Sequence, residues 1–250
     1  MSTVRIVSDS RAMDGALTAL VEAALVCAPV RRWLIVGGHM VNLHVLHAGI
    51  DKATRPTHDA DLAVTRRTVS QGDLLVRLRE LGYHTPTFPN RFERHMDDIQ
   101  LSIDLVVPSN STKHQPNIDI DDRNFDGMPA VDEALDRDPV VLDLVAVLTD
   151  GSEVKATVRI PDLVSAIAMK TFAVAERTNP HDAFDLGLLL HAARAGGLES
   201  DRWPKGKAFA AAKVQLSAQF DRPGTALELA TDSEAGRVRL RDIASLLAQT

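Results

Sequence analysis

The spacing of hydrophobic residues changes repeatedly along the first part of the chain, and each change predicts a different element. Spacings of three and four residues predict an amphipathic helix over residues 12–27. A short apolar run at 33–36 then predicts a strand that is closed by Gly37-Gly38. A second helix follows and stops at Gly49, since glycine commonly terminates helices. The predicted order is therefore strand, glycine turn and helix.

The next part of the chain predicts short strands around one further helix. Residues 57–64 indicate a second strand, and leucines at helical spacing follow it and stop at Gly82. Three consecutive strands are then predicted at 83–88, 91–96 and 99–107. Apolar and polar residues alternate in the last of these, which predicts one buried face and one polar face.

The chain then changes from strands to helices. Two apolar runs, 140–147 and 154–160, flank a turn and predict a hairpin. Pro161 suits the first turn of a helix. The four helices predicted from there onward cover residues 161–177, 180–195, 206–219 and 236–249. We therefore predict an α/β (α+β) fold, with a core over residues 1–160 and a helical C-terminal domain over residues 161–250.

Composition and charge narrow the class of protein. With 45% hydrophobic and 25% charged residues, the chain has the composition of a folded globular protein. Its 28 Lys+Arg against 34 Asp+Glu give a net charge of −6, which argues against a general nucleic-acid binder. The single cysteine, Cys27, excludes an intramolecular disulfide and a cysteine-built zinc site. Without a membrane-spanning apolar run or a signal layout, the chain is expected to be cytoplasmic.

Two carboxylates in the predicted strand at 57–64 are the first candidates for chemistry. Asp59 and Asp61 are two residues apart, so both side chains would project from the same face of a strand. Like charges this close favour a cation between them, and oxygen ligands suit Mg²⁺. Asp104 is the sole charged residue on the polar face of its predicted strand. If the two predicted strands are neighbours in the sheet, Asp104 would add a third carboxylate to the same metal.

Two further features predict an anionic ligand. At Gly37-Gly38, missing side chains would let backbone N–H groups and a helix N-terminus approach a phosphate. Lys170 lies in the middle of the apolar stripe of its helix, so either its stem extends to the edge of the stripe or, as we favour, its ammonium meets a carboxylate or a triphosphate. On the next helix, Asp182 falls in the first turn, where the helix dipole is a sufficient explanation for an acid. Asp185 lies one turn deeper and lacks that explanation.

Several of these motifs occur together in an order that resembles a known family. The segments are, in chain order, Leu34-Ile35-Val36-Gly37-Gly38-His39, Arg55-Pro56-Thr57-His58-Asp59-Ala60-Asp61-Leu62, Ile103-Asp104-Leu105, Pro161-Asp162-Leu163 to Lys170, Arg177, and His181-Asp182-Ala183-Phe184-Asp185-Leu186. Together they resemble the nucleotidyltransferases of the AbiEii/MenT toxin family. The resemblance covers about residues 33–190. It implies a polymerase-beta-like nucleotidyltransferase core with a mixed sheet, and a helical C-terminal domain that contributes Lys and Asp to the active site.

The resemblance also implies roles for individual residues. The implied catalytic residues are Asp59, Asp61, Asp104, Lys170 and Asp185. The implied nucleotide-binding residues are Gly37, Gly38, His39, Lys170 and Asp182. The implied ligands of Mg²⁺, or of Mn²⁺ in its place, are Asp59, Asp61 and Asp104. The chain departs from the wider superfamily in two places, because Gly-Gly-His39 replaces the usual Gly-Ser turn and His181 stands where lysine is common.

The implied reaction transfers NMP from an NTP to an RNA acceptor, the 3′ end of tRNA. The protein would then be the toxin of a type IV-like toxin–antitoxin or phage-defence system, with a cognate antitoxin encoded nearby. The segment 202–250 has eight Lys/Arg and five Asp/Glu, a net charge of +3. Its candidate contacts to RNA phosphates are Lys205, Lys207, Lys213, Arg237, Arg239 and Arg241. Helices with ordinary solvated faces explain the same charges equally well.

Two other functions are compatible with the same motifs. A small-molecule nucleotidyltransferase, such as one that modifies an aminoglycoside, would use the same metal site and glycine turn. The acidic stretch at 119–138 would suit a cationic acceptor of that kind. The second alternative is a non-catalytic nucleotide-binding protein, against which the intact set Asp59, Asp61, Asp104 and Lys170 argues.

Overall fold

The computed structural model describes residues 2–52, 54–85, 89–177, 179–199, 203–220 and 226–249. The N-terminal part contains β1 (Ser2–Val7), α1 (Arg11–Cys27), β2 (Trp33–Ile35), α2 (Gly37–His47) and β3 (Ala60–Val64). The middle part contains α3 (Arg66–Ser70), α4 (Asp73–Glu80), β4 (Arg91–Met96), β5 (Ile99–Pro108), β6 (Gln115–Ile120) and β7 (Arg123–Met128). The last part contains α5 (Val131–Leu135), β8 (Val140–Val147), β9 (Glu153–Ile160), α6 (Leu163–Glu176), α7 (Pro180–Ala195), α8 (Lys207–Phe220), α9 (Ala226–Ala230) and α10 (Glu234–Ala248).

The strands form two sheets. In the six-stranded sheet the order is β2-β3-β5-β7-β6, and β4 pairs with β5 outside this path. The pairs β3·β5 and β5·β7 are parallel, whereas β2·β3, β4·β5 and β6·β7 are antiparallel. The three-stranded sheet has the order β1-β8-β9. The predicted α/β fold with a mixed sheet and a helical C-terminal region is confirmed.

Helix α1 lies between the two sheets, because it contacts both β5 and β9 and most of its residues are buried. The buried apolar residues form one continuous cluster that includes residues on both sides of position 160. Helix α2 packs on α6 and α7, and His44 Nε2 donates a hydrogen bond of 3.0 Å to the carbonyl of Pro161. The glycine turn is thereby fixed against the C-terminal helices. The domain boundary at 160 stays a prediction.

Local signals at the ends of the C-terminal helices act as the sequence predicts, with one difference. Asn179 caps α7 by accepting a hydrogen bond from the His181 backbone, and Pro180 occupies the first turn. Helix α6 is capped by Asp162, whose side chain accepts from the Ser165 N–H at 2.9 Å. Pro161 therefore precedes the cap, so its predicted place in the first turn of the helix is wrong.

Several elements were missed or displaced in the sequence analysis. The strand predicted at 57–64 begins only at Ala60, so Asp59 lies in the bend before it. Strand β1, helices α3, α5 and α9, and the β6–β7 hairpin were not predicted. Of the strand predicted at 83–88, the structure shows a single bridge between His84 and Glu93, and residues 86–88 lie outside the described residues.

Among the described residues, no helix is both long enough and apolar enough to cross a membrane.

Candidate active site

The Gly37-Gly38 turn lies where β2 ends and α2 begins. Gly37 has a φ of +64°, and a Cβ atom built on it would lie 1.8 Å from Asp61 Oδ2. A Cβ atom on Gly38 would lie 2.5 Å from Thr57 Oγ1. Val36, the N-cap residue, makes no side-chain hydrogen bond to the first turn of α2. The turn therefore presents an uncapped helix N-terminus, whose first N–H groups lack intrahelical acceptors.

Three carboxylates approach one another beside this turn. Asp61 and Asp104 are register partners on the parallel strands β3 and β5, and Asp59 immediately precedes β3. Burial, together with the charges of Asp59 and Asp104, raises the pKa of Asp61 to about 7. Burial also raises the pKa of Asp104. The structure thus brings together the three acids that the sequence identified on separate elements.

Arg91 on β4 holds two of these acids. Its Nε and Nη2 atoms donate to the two carboxylate oxygens of Asp104 at 2.8 and 2.6 Å. Nη2 also donates to Asp59 Oδ2 at 2.8 Å. The hydrogen bonds to Asp104 raise the pKa of Arg91, which keeps the guanidinium charged. The sequence analysis missed this residue, because its position opposite Asp104 depends on the β4·β5 register.

Across the site from these acids, Lys170 of α6 pairs with two acids of α7. The Lys170 side chain is 8% exposed, and its Nζ lies 3.0 Å from Asp182 Oδ1 and 2.8 Å from Asp185 Oδ2. Arg55 binds both oxygens of Asp185 at 2.9 Å, and the exposed Arg177 lies 3.3 Å from Asp182 Oδ2. The inward direction predicted for Lys170 from its helical spacing is therefore observed.

These groups line a cavity of about 410 Å³, which is within the usual size of a small-ligand site. The predicted site residues among its lining are Gly37, Gly38, Asp59, Asp61, Asp104, Lys170 and Asp182. Residues of the lining to which the sequence analysis gave no role include Arg55, Asn90, Arg91, His114, Asp126 and Arg177. Arg55 and Arg177 lie in the sequence segments that carry the family resemblance, and this position could have identified both as candidate site residues.

Two predicted site residues lie behind the cavity wall. Asp185 is fully buried and reaches the cavity only through Arg55 and Lys170. His39 is also buried, which lowers its pKa to about 4, so its ring is neutral near pH 7. The structure therefore places Asp185 as a support for the two cations, and His39 within the packing of α2.

The basic residues predicted to contact RNA lie on or near α8 and α10. None of these six residues is part of the cavity lining. Arg237 instead pairs with Glu234 and with the carbonyl of Asp232, and Arg241 donates to the carbonyl of Phe220.

The carboxylate oxygens of the three acids are ligands that suit a hard cation. Among the described residues no group of three or more His, Cys, Asp or Glu side chains is arranged to hold a metal ion unaided. Mg²⁺ commonly takes one or two carboxylates and completes its shell with substrate phosphates and water. Asp59 and Asp61 supply such a pair beside the glycine turn, and the raised pKa of Asp61 indicates that the charge of the acids is not fully compensated. The residues present therefore fit Mg²⁺.

The chain was compared with known families, curated proteins and solved structures. No family model matches it, and no curated protein matches it. Among solved structures it is similar to the antibiotic-resistance factor ANT(2'')-Ia, at 12% sequence identity and a TM-score of 0.41. The similarity covers 82% of this chain and 92% of that chain.

Proposed function

We propose that this protein is a Mg²⁺-dependent nucleotidyltransferase, which transfers NMP from an NTP to a hydroxyl group of an acceptor. The observation that carries the proposal is the composition of one cavity. A glycine turn at a helix N-terminus, the buried Lys170 and the exposed Arg177 lie in the same cavity as three clustered carboxylates. The first set of groups suits a triphosphate and the second suits a metal and a proton acceptor.

The triphosphate is bound between the turn and the helical wall. The N–H groups at Gly37 and Gly38 offer hydrogen bonds to phosphate oxygens without interference from side chains. Lys170 and Arg177 face the same cavity from α6 and the segment after it. Because Asp182 and Asp185 already neutralise part of this positive charge, the cations are held in place before the nucleotide binds.

The carboxylates act on the reacting groups. Asp59 and Asp61 would hold Mg²⁺, which when bound neutralises charge that develops on the phosphates during transfer. Asp104 accepts the proton of the attacking hydroxyl, and its raised pKa favours that role. Arg91 keeps Asp104 and Asp59 at a fixed separation, since a guanidinium binds a carboxylate in a planar, two-point arrangement.

The acceptor that we propose first is the 3′ end of tRNA, with the protein acting as a toxin controlled by an antitoxin. This part of the proposal is supported by the order and spacing of the motifs and by their resemblance to the AbiEii/MenT family. A small cationic acceptor, such as an aminoglycoside, is the second candidate. It is favoured by Asp126, which adds a further carboxylate to the cavity lining from the acidic β6–β7 hairpin.

A labelling experiment tests the proposal. Purified protein is incubated with Mg²⁺ and each α-labelled NTP in turn, with total tRNA in one arm and an aminoglycoside in the other. The wild type is expected to label one acceptor, and Asp61→Asn is expected to label neither. Because Asp61 is in a repulsive cluster, the amide should leave the melting temperature unchanged or higher.

The matched control is Asp138→Asn, which removes an exposed carboxylate that lines neither this cavity nor a second one that borders it at Asp59 and Arg91. It should label at the wild-type rate. Labelling of tRNA would support the toxin reading, and labelling of the aminoglycoside would support the second candidate. Absence of label with every NTP, or undiminished label in Asp61→Asn, would contradict nucleotidyl transfer at this site.

A further inference from the structure

A second cavity of about 440 Å³ lies next to the first, and most of its lining has no role in the nucleotide site described above. The two cavities share two lining residues, Asp59 and Arg91. The other polar residues of the second cavity are Arg11, His58, Asp98, Gln100 and Ser102. The second cavity therefore begins at the reacting carboxylates and extends away from the phosphate-binding turn.

Strand β5 connects the two cavities. Alternate residues of a strand project from one face, so Gln100 and Ser102 share the face that carries Asp104. Asp104 lines the first cavity, whereas Gln100 and Ser102 line the second. The face thus presents a carboxylate, a hydroxyl and an amide in a row, from the reacting centre outward.

The outer wall of the second cavity is an ion pair. Arg11, the first residue of α1, donates from Nη2 to Asp98 Oδ1 at 2.6 Å, and both side chains are more than half exposed. Arg91 is likewise neutralised, by Asp59 and Asp104. The cavity consequently offers alternating donors and acceptors with little uncompensated charge, which suits a ligand with several hydroxyl groups better than a bare cation or a free phosphate.

We infer that the second cavity binds a sugar of the acceptor and presents one of its hydroxyls to the nucleotide. The inference rests on the proposed function. In-line displacement requires the attacking oxygen to lie opposite the leaving pyrophosphate. The pyrophosphate side of the first cavity is fixed by Gly37, Gly38 and Lys170, so the acceptor enters past Asp59 and Arg91.

The step balances with the groups present. The hydroxyl oxygen of the sugar forms a bond to the α-phosphorus. The bond between the α-phosphorus and the oxygen that bridges to the β-phosphate breaks, and pyrophosphate leaves with that electron pair. The proton of the hydroxyl passes to the carboxylate of Asp104. The sugar is either the terminal ribose of an RNA or a ring of a small glycoside, because both carry vicinal hydroxyls.

The test measures acceptor binding and transfer separately. One probe is a short oligoribonucleotide with a 3′-terminal ribose diol, compared with the same oligonucleotide ending in a 2′,3′-dideoxy sugar. The other probe is the aminoglycoside kanamycin. Binding is measured by calorimetry in the wild type, Arg11→Ala and Gln100→Ala, and transfer is measured with the labelled NTP. Both substitutions are on the exposed surface, so folding is expected to be retained.

The matched control is Arg5→Ala. Arg5 has the same side-chain exposure as Arg11, 57%, and also forms one surface ion pair, with Glu153. It lines neither of the two cavities. The control separates the loss of a surface arginine from the loss of an arginine at the acceptor.

Whichever diol-bearing probe the wild type binds is expected to bind about tenfold more weakly to Arg11→Ala and to Gln100→Ala. A tenfold loss is the effect of one hydrogen bond. The acceptor KM should rise by the same factor while the NTP KM stays constant, and Arg5→Ala should match the wild type. Equal binding in all variants, no binding of either probe to the wild type, or equal binding of the dideoxy oligonucleotide would overturn the inference. If the binding pattern holds but no label is transferred, the proposed reaction fails and the sugar site stands.

Discussion

At the level of single residues, Gly37 meets two conditions that alanine would violate. Its φ of +64° lies in the left-handed region, and an added Cβ would overlap Asp61 Oδ2. We expect Gly37→Ala to lose about 1–2 kcal/mol of stability from the backbone alone. Because the Asp61 carboxylate must also move, transfer should fall about 100-fold. Urea unfolding and initial rates at saturating NTP would measure the two effects.

Gly49→Ala is the control for the backbone contribution. Gly49 has nearly the same φ, +63°, and has no atom within 4 Å of an added Cβ. It follows the opposite end of α2, away from the cavity. The control should lose similar stability and keep its rate; equal rate losses in the two variants would refute a specific clash with Asp61.

Arg91 occupies carboxylate oxygens that a cation would also use. Replacing it by methionine keeps an unbranched, mostly apolar stem and removes both its charge and its hydrogen bonds to Asp59 and Asp104. We expect Arg91→Met to bind Mn²⁺ about tenfold more tightly in the absence of nucleotide, because one unit of positive charge is removed beside the site. Titration of free Mn²⁺ by electron paramagnetic resonance would give the dissociation constant.

The comparison for this prediction is Arg66→Met. Arg66 donates to the carbonyl of Pro108 and does not line the cavity that holds the three acids. Its replacement should leave Mn²⁺ affinity unchanged. An Arg91→Met protein with wild-type or weaker affinity would show that Arg91 organises the acids for the metal and does not compete with it.

At the level of elements, local patterns were sufficient where one element carries its own signal. The long periodic segments of α1, α6 and α7 and the alternation of β5 predicted those elements closely. Strand β1 was missed because its partner, β8, is more than a hundred residues away in the sequence and nothing local identifies it. The β6–β7 hairpin did have a local signal, the Asp121-Asp122 pair, because aspartate tolerates the positive φ that both residues adopt as in a type I′ turn.

The same distinction applies to the site. Asp59, Asp61 and Lys170 were found because their spacing within one element is unusual for a solvated or apolar face. Arg91 was missed because it meets Asp104 only through the register of an antiparallel pair. The contact between Arg55 and Asp185 joins residues 130 positions apart, which periodicity does not address. The roles implied for these residues in catalysis stay predictions.

At the level of the whole molecule, one hydrogen bond connects the two walls of the first cavity through the core. His44 in α2 donates to the carbonyl of Pro161, just before the cap of α6. Helix α2 begins at the glycine turn, and α6 carries Lys170. Burial lowers the pKa of His44 to about 4, so the ring is neutral and can act as this donor without a charge. Protonation of His44 therefore opposes the packing that sets the cavity.

This arrangement predicts a pH dependence of stability. An unfolded histidine has a pKa of about 6.5, so between that value and about 4 the unfolded chain binds more protons at this position than the folded chain does. Stability from His44 is thus present at pH 7 and is lost as the pH falls through this window. His44→Gln retains an amide donor and does not titrate. The variant should lose about 1–2 kcal/mol less stability than the wild type between pH 7 and pH 5, measured by urea unfolding.

The wild type must be compared with His44→Gln, because the pKa of Asp61 is shifted in the direction opposite to that of His44. Its pKa is raised to about 7, so its contribution to stability is present at low pH and is lost as the pH rises from about 4 toward 7. The wild-type curve contains both effects, as well as that of buried His39, whereas the difference between wild type and His44→Gln isolates one histidine. Leu46→Gln, an exposed change on the same helix that removes no titrating group, should reproduce the wild-type curve. If His44→Gln also reproduces it, the neutral buried donor is not what connects α2 to α6.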